Sequence, residues 1–289
     1  MIVNAGLLFK NLLNNPKSKV LIVKRTGGIG DLLMLSPSLR HLKERFPLLS
    51  LSFSFPYDRS SNYNLLTSQW DFLDNVFDFN RLNVSGHDYV VDVTTACIQY
   101  EIKEQTTVNR IDLYAHWLGI DNMENKTPVC FPYFDTENNL PIMERPIIGF
   151  HLNSEDKERN WDKGLYQKLL VMLHTLDRGT FLIIDDEDCD FVEFSNRTVS
   201  LKKLNFKELV NCINELDLLI CPDSGPMHIA GALELPCIAL FGPTNPASRI
   251  NYYKEHTAVN KRHTRDSMKA VNPKDVYDLT MSKINAHML

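Results

Sequence analysis

At 289 residues, with 44% hydrophobic and 23% charged side chains, the chain has the make-up of a globular protein long enough for two ordinary domains. Its formal net charge of -5 provides no global positive field, which argues against nucleic acid as a partner. The six cysteines form no C-x-x-C pair and lie mostly in apolar runs, so reduced thiols of a cytoplasmic protein are expected rather than a disulfide framework. The first residues lack the basic start and cleavage site of a signal peptide, and no apolar run approaches the ~20 residues of a membrane span. A soluble protein with no transmembrane segment is expected.

Short apolar, β-branched runs alternate with helical patterns, the signature of α/β layering. Lys19 to Arg25 is a near-continuous apolar run that reads as a buried parallel strand. It ends in Gly27-Gly28-Ile29-Gly30-Asp31. Leu32, Leu33, Leu35, Leu39, Leu42 and Phe46 then recur at helical spacing until Pro47 stops the helix. Strands are expected at Leu51 to Phe55 and Tyr89 to Val93, and a helix over Leu113 to Leu118 ended by Gly119. Asn138 to Pro146, with two prolines and little periodicity, reads as a linker.

Beyond the linker the alternation restarts. Strands are expected at Ile147 to His151, Thr180 to Ile184, Leu218 to Cys221 and Cys237 to Phe241. Helices are expected at Leu165 to Leu176, Phe206 to Glu215 and Pro226 to Leu233, and a terminal one over Asp275 to Met288. The expected layout is therefore a first domain over 1–140, a second over 146–272, and a closing helix over 273–289 that could fold back on the first domain. Two such halves would present their sheet ends to a central cleft, where ligands of open α/β sheets bind.

Three constellations could carry chemistry. In the first, glycines between strand and helix let a ligand approach closely at a helix N-terminus, which favours anions. The third glycine of a dinucleotide fingerprint is missing, since Leu33 stands there, and so is the Lys-Ser/Thr of a phosphate loop. Asp31 reads either as a helix cap or as a general base on an incoming hydroxyl. In the second, Asp223, Ser224 and Gly225 directly follow a strand, with Pro226 at the first helical position. Backbone N–H groups and the helix dipole there suit a diphosphate, while His228, one turn on, reads equally as a packed histidine. The third is the polar loop His151 to Ser154, followed by Lys157, Arg159 and Trp161. A hydroxyl and a cation after a strand suit phosphate, although a solvated turn over a packed tryptophan would look the same.

Together these segments resemble a family. IVKRTGGIGDLLMLSPSLRHLKERFP is similar to the opening of the heptosyltransferases, glycosyltransferase family 9, with its apolar strand, Gly-Asp turn and Leu-Arg helix. CPDSGPMHIAGALELPCIALFGPTNP resembles that family's second signature, and HLNSEDKERNW its central loop, with a basic residue two before a tryptophan. The closing MKAVNPKDVYDLTMSKI completes a likeness that runs from Lys19 to about Ile284 in order.

The resemblance implies the GT-B fold, two Rossmann-like domains with parallel sheets facing a central cleft. It also implies metal-independent, inverting transfer from an ADP-activated or similar sugar, with no other cofactor. By this match Asp31 is the base, and Ser154, Arg159, Ser224 and Gly225 hold the diphosphate, with Asp223 orienting the loop or touching the sugar. Gly28, Gly30 and His228 join the candidate donor set. Lysine is common in the family where Arg159 stands, and arginine keeps the charge with a different geometry. Where the family often has glycines, this chain has Asp185 to Asp188. Asp186 and Glu187 are candidates for a ribose hydroxyl, and an exposed acidic loop is the competing reading.

The acceptor expected from the resemblance is a glycan such as a lipopolysaccharide core, on a cytoplasmic protein that could sit peripherally at the inner membrane face. Transfer to a modified nucleobase, metabolite or protein, a non-catalytic sugar-nucleotide-binding module, and an epimerase on the same fold are the alternatives.

Overall fold

The computed structural model describes residues 5–56, 60–81, 84–104, 108–135, 143–185, 196–260 and 267–287. The chain forms two compact units, Met1–Cys130 with Ala247–Tyr252, and Phe131–Pro246 with Tyr253–Leu289. The expected linker around 138–146 therefore lies in the second unit, and a short later segment belongs to the first.

In the first unit, β1 (Lys19–Val23), β2 (Ser50–Phe55), β3 (Asn75–Asp78) and β4 (Tyr89–Asp92) make a four-stranded parallel sheet in the order β3-β2-β1-β4. Val20, Leu21 and Ile22 are fully buried, as expected of a central strand covered on both faces. Helices α1 (Leu8–Asn14), α2 (Ile29–Arg45), α3 (Ser60–Thr67), α4 (Ala96–Glu104) and α5 (Arg110–Trp117) accompany the sheet. Helix α2 runs through Pro37, which cannot donate to the Leu33 carbonyl. The Ser36 hydroxyl donates to that carbonyl instead, at 2.8 Å, and itself accepts from the Val129 N–H at 2.9 Å. The helix continues because a neighbouring side chain supplies the missing bond.

The second unit holds a six-stranded parallel sheet: β5 (Ile147–His151), β6 (Thr180–Asp185), β7 (Thr198–Lys202), β8 (Leu218–Pro222), β9 (Cys237–Phe241) and β10 (His256–Asn260), in the order β10-β9-β8-β5-β6-β7. Helices α6 (Lys163–Leu173), α7 (Phe206–Asn214), α8 (Gly225–Ala232) and α10 (Pro273–His287) belong to it, while the one-turn α9 (Ala247–Ile250) falls in the first unit. Strands β8 and β9 are buried at every position. Side chains of α6, including Tyr166 and Leu169, share one core with Val276 and Ile284 of α10 and Trp161. The closing helix thus packs within the second unit, against α6.

In each sheet the connections reverse direction beside one central strand. Chain order runs outward from β1 through β2 to β3 and then returns to β4 on the other side. In the second sheet it runs from β5 through β6 to β7 and returns to β8 on the other side. These switch points, β1/β4 and β5/β8, open crevices beyond the carboxyl ends of the strands, where α/β sheets bind ligands.

The packing leaves no room at Gly149, in the middle of β5. A methyl there would lie 2.4 Å from Leu216 Cδ1, and Leu216 is itself buried. Gly149→Ala should cost about 1–3 kcal/mol through overpacking, read from the urea midpoint at unchanged m-value. An unchanged midpoint would show that this contact yields freely.

Candidate active site

The first unit's switch point carries Asp31. Gly27 takes φ +120, a conformation glycine adopts readily, and a methyl on it would come within 2.8 Å of Asp31 Oδ2 and 3.0 Å of Lys24 Nζ. Gly28 is the N-cap of α2, and added bulk there would meet nothing within 4 Å. Gly30 is buried inside the first turn. The Gly28 N–H donates to Asp31 Oδ2 at 3.2 Å, so Asp31 does cap the helix. It does more than cap. Arg110 Nη1 donates to Asp31 Oδ1 at 2.8 Å, and the Tyr114 hydroxyl donates to the same oxygen at 3.3 Å.

Arg110 in turn grips Glu101 through Nε at 2.7 Å and Nη2 at 2.8 Å, and Arg249 Nη1 reaches Glu101 Oε1 at 3.1 Å. Burial by itself would raise the Asp31 carboxyl. The charges of Lys24 and Arg110, then the Gly28 N–H and Arg249, outweigh it and hold the group below the ordinary aspartate value. Glu101 is lowered in the same way, burial being outweighed by Arg110 and Arg249. Burial lowers the Lys24 ammonium despite the opposing charge of Asp31, and it pushes the neighbouring Cys97 thiol up to about 12. The cluster is thus built around two ionised carboxylates, with an inert thiol beside them.

The second unit's switch point gathers the other candidates. After β8, Asp223 is 2% exposed; its carboxylate accepts from the Thr244 hydroxyl at 2.8 Å and lies 3.6 Å from Arg159 Nη1. Ser224 is the N-cap of α8 but makes no side-chain cap; its hydroxyl turns back to the Pro222 carbonyl at 3.2 Å. Gly225 begins the helix, and the next residue, Pro226, has no N–H to donate. After β5, Asn153 Nδ2 donates to Asp185 Oδ2 at 2.6 Å, and the Ser154 N–H donates to Asn160 Oδ1 at 2.7 Å. The Ser154 hydroxyl donates to the Asp156 carbonyl at 2.9 Å. Arg159 links the two loops, reaching Asp156 Oδ2 at 3.3 Å and the Asp223 carbonyl at 3.4 Å. Arg159 and the N-terminus of α8 therefore stand beside one another at this switch point, a combination suited to an anion.

His228 is packed into the second unit beside Asp223. It is 3% exposed, pairs through Nδ1 with the Tyr253 hydroxyl at 2.6 Å, and stands 3.9 Å from Asp223 Oδ1. Trp161 likewise lies in the core, its indole N–H on the Val271 carbonyl at 3.1 Å. Asp186 and Glu187 lie outside the described residues. Among the described residues no group of three or more His, Cys, Asp and Glu could hold a metal ion. Sequence reasoning missed Arg110, Glu101, Arg249 and Thr244, whose roles depend on partners far away in the chain.

With this geometry in view, the chain was compared with known proteins. The model of glycosyltransferase family 9 (heptosyltransferase) matches residues 92–278. The chain belongs to this family. A curated relative, lipooligosaccharide heptosyltransferase 2 of Haemophilus influenzae, is 34% identical over 114 residues, which is 36% of this chain and 33% of that one. The matched stretches span at most about two fifths of the curated relatives' lengths. A family 9 structure from Veillonella parvula matches with a TM-score of 0.71 at 14% identity, covering 93% of this chain and 97% of that one. The dodecameric iron-containing heptosyltransferase TibC of enterotoxigenic E. coli, solved with ADP-D-beta-D-heptose, matches with a TM-score of 0.73 at 17% identity over 93% of this chain and 78% of that one. These structures share the fold, two parallel-sheet α/β domains of the GT-B kind.

The charge arrangement of the first unit fixes a pH dependence. Asp31 and Glu101 have folded values below the ordinary carboxylate range, so their pairing stabilises the fold above the unfolded value of about 4 and is lost as the pH falls through the folded values. Asp31→Asn keeps a capping oxygen but leaves Arg110 and Lys24 without their counter-charge. It should cost about 2–4 kcal/mol at pH 7, with the difference from wild type narrowing in acid. Urea midpoints measured from pH 7 to pH 3 read this directly. A loss independent of pH would mean that the charge is not what stabilises.

Proposed function

We propose that the chain transfers a sugar from a nucleotide-diphosphate donor of the ADP-heptose kind to an acceptor hydroxyl, with inversion, in the synthesis of a lipopolysaccharide or similar surface glycan. The observation that carries this reading is the switch point of the second sheet, where Arg159 reaches the Asp223 carbonyl just ahead of Ser224 and Gly225 at the N-terminus of α8. The curated relatives are heptosyltransferases, and TibC was solved with an ADP-heptose.

The chemistry follows from charge. As the anomeric bond breaks, the diphosphate gathers negative charge, and a preorganised helix N-terminus with a guanidinium stabilises it at little reorganisation cost. The nucleotide-sugar site belongs to the second unit and the acceptor base to the first. Asp31 is ionised at neutral pH and so ready to take a proton. Its lowered basicity means that the acceptor hydroxyl gives the proton up late, once attack on the anomeric carbon has made it acidic.

No described helix is long and apolar enough to cross a membrane. We take any work at the inner face of a membrane to be peripheral.

Two experiments bear on this reading. In Gly225→Val, bulk at the helix start should block the approach of phosphate and weaken ADP binding in calorimetry, while the fold survives. Unchanged ADP affinity in the folded variant would move the site elsewhere. For turnover, ADP-heptose is supplied with a lipopolysaccharide core lacking heptose. Asp31→Asn, assayed where circular dichroism shows it folded, should transfer roughly 100-fold slower or worse with donor affinity kept. Because Arg159 and the helix N-terminus supply the stabilising charge, chelator should leave the wild-type rate intact. Wild-type transfer by Asp31→Asn, or a strict need for added metal, would contradict the mechanism.

A further inference from the structure

We infer that Arg110 is the positioning residue of Asp31, clamping one carboxylate oxygen so that the other, Oδ2, is the atom that takes the acceptor's proton. The inference rests on reading Asp31 as the base. A guanidinium has a rigid fork of donors, and how the fork is used decides what the residue can do. Here Nε and Nη2 are spent on the two oxygens of Glu101, at 2.7 and 2.8 Å. That side-on pair fixes the plane of the group and leaves Nη1 to meet Asp31 Oδ1 at 2.8 Å.

Glu101 is itself held by Arg249, only 7% exposed along its side chain, whose Nη1 also bonds the Ser248 hydroxyl at 2.9 Å. Arg110 opens α5, where Asn109 accepts from the Ile111 N–H at 2.9 Å and donates through Nδ2 to the Ala247 carbonyl at 3.1 Å. The cation therefore stands in a frame built from α4, α5 and α9.

A cation this close weakens Asp31 as a base, so basicity is not its contribution; orientation is. Oδ1 is committed to Arg110 and to Tyr114, whereas among the described residues Oδ2 receives only the Gly28 N–H, at 3.2 Å. An ionised carboxylate oxygen has lone pairs for more than one donor, so Oδ2 keeps capacity for a hydroxyl. Gly27 serves the same end, since any side chain there would press on Oδ2 at 2.8 Å.

The test compares wild type with Arg110→Gln, Arg110→Lys and Glu101→Gln; Glu101→Gln leaves every group that touches Asp31 in place. Two readouts are used: the pH titration of the Asp31 carboxyl carbon by NMR on the free protein, and the pH profile of transfer from ADP-heptose to a heptose-free lipopolysaccharide core. In Arg110→Gln the Asp31 titration and the acid limb of the rate should both move to higher pH, and kcat should fall roughly 10- to 100-fold with little change in donor KM. Glu101→Gln removes a negative charge near Asp31, so the Asp31 titration should stay low or move lower, while the loosened Arg110 fork should lower kcat with little change in donor KM. Arg110→Lys should restore the low titration while recovering only part of the rate. Should Arg110→Gln fail to fold, Glu101→Gln carries the test through its kcat, and a wild-type kcat there would overturn the proposal. A purely structural Arg110 would lower the yield of folded protein and leave both pH readouts where they were, which would overturn the proposal. Asp31→Asn separates the two readings. If it is inactive while Arg110→Gln titrates as wild type and Glu101→Gln keeps the wild-type kcat, only the positioning fails; if it transfers at the wild-type rate, the base reading fails.

Discussion

Strand direction is the constraint on which the rest depends. Every strand pairing in both sheets is parallel, so the carboxyl ends of neighbouring strands lie along one edge. The helix that follows each central strand begins there, with its N-terminal amides at that edge. At β1 the chain passes through Gly27 and Gly28 into α2, and at β8 it passes through Asp223 and Ser224 into α8. Both turns sit where the order of connections reverses, and so face crevices that the sheets cannot fill themselves.

The two turns carry the same residue type in opposite situations. Asp31 and Asp223 are each an aspartate at a helix start, and each must be compensated. Asp223 is met by the hydroxyl of Thr244 and by Arg159 and His228, a set that locks the loop while the N-terminus of α8 faces its crevice. Asp31 is met by Arg110 and Lys24, with Tyr114 on one oxygen. In the proposed function the backbone beside Asp223 serves as the anion site, and the Asp31 carboxylate serves as the proton acceptor. Glycosyl transfer needs one of each, since one partner loses a proton while the other departs with charge.

The sequence was most legible where burial is most complete. Ile147 to His151 and Cys237 to Phe241 are strands over those same residues, because central parallel strands are unbroken apolar runs. The strands that escaped notice are the edge ones. Asn75–Asp78 is largely exposed and Thr198–Lys202 alternates between half-buried and exposed, so neither shows an apolar run. His256–Asn260, at the other edge, is equally mixed in composition. At the site, the glycines, caps and Asp31 announced themselves through local turn chemistry. Arg110, Glu101 and Arg249 did not, since a salt-bridge chain that joins residues 31, 101, 110 and 249 has no local pattern to read. For His228 the signature gives the position in the helix, and the partners, Tyr253 and Asp223, come only with the fold.

The central claim is that the donor's diphosphate lies at the start of α8, beside the loop that follows β5. Hydrogen–deuterium exchange on the intact protein, with and without saturating ADP, tests it without any knowledge of the acceptor. The account predicts slowed exchange at the amides of 153–160 and 223–228, with the turn before Asp31 little affected. Protection confined to the Gly27 to Asp31 turn, or no protection at 223–228 despite measurable ADP binding, would contradict it.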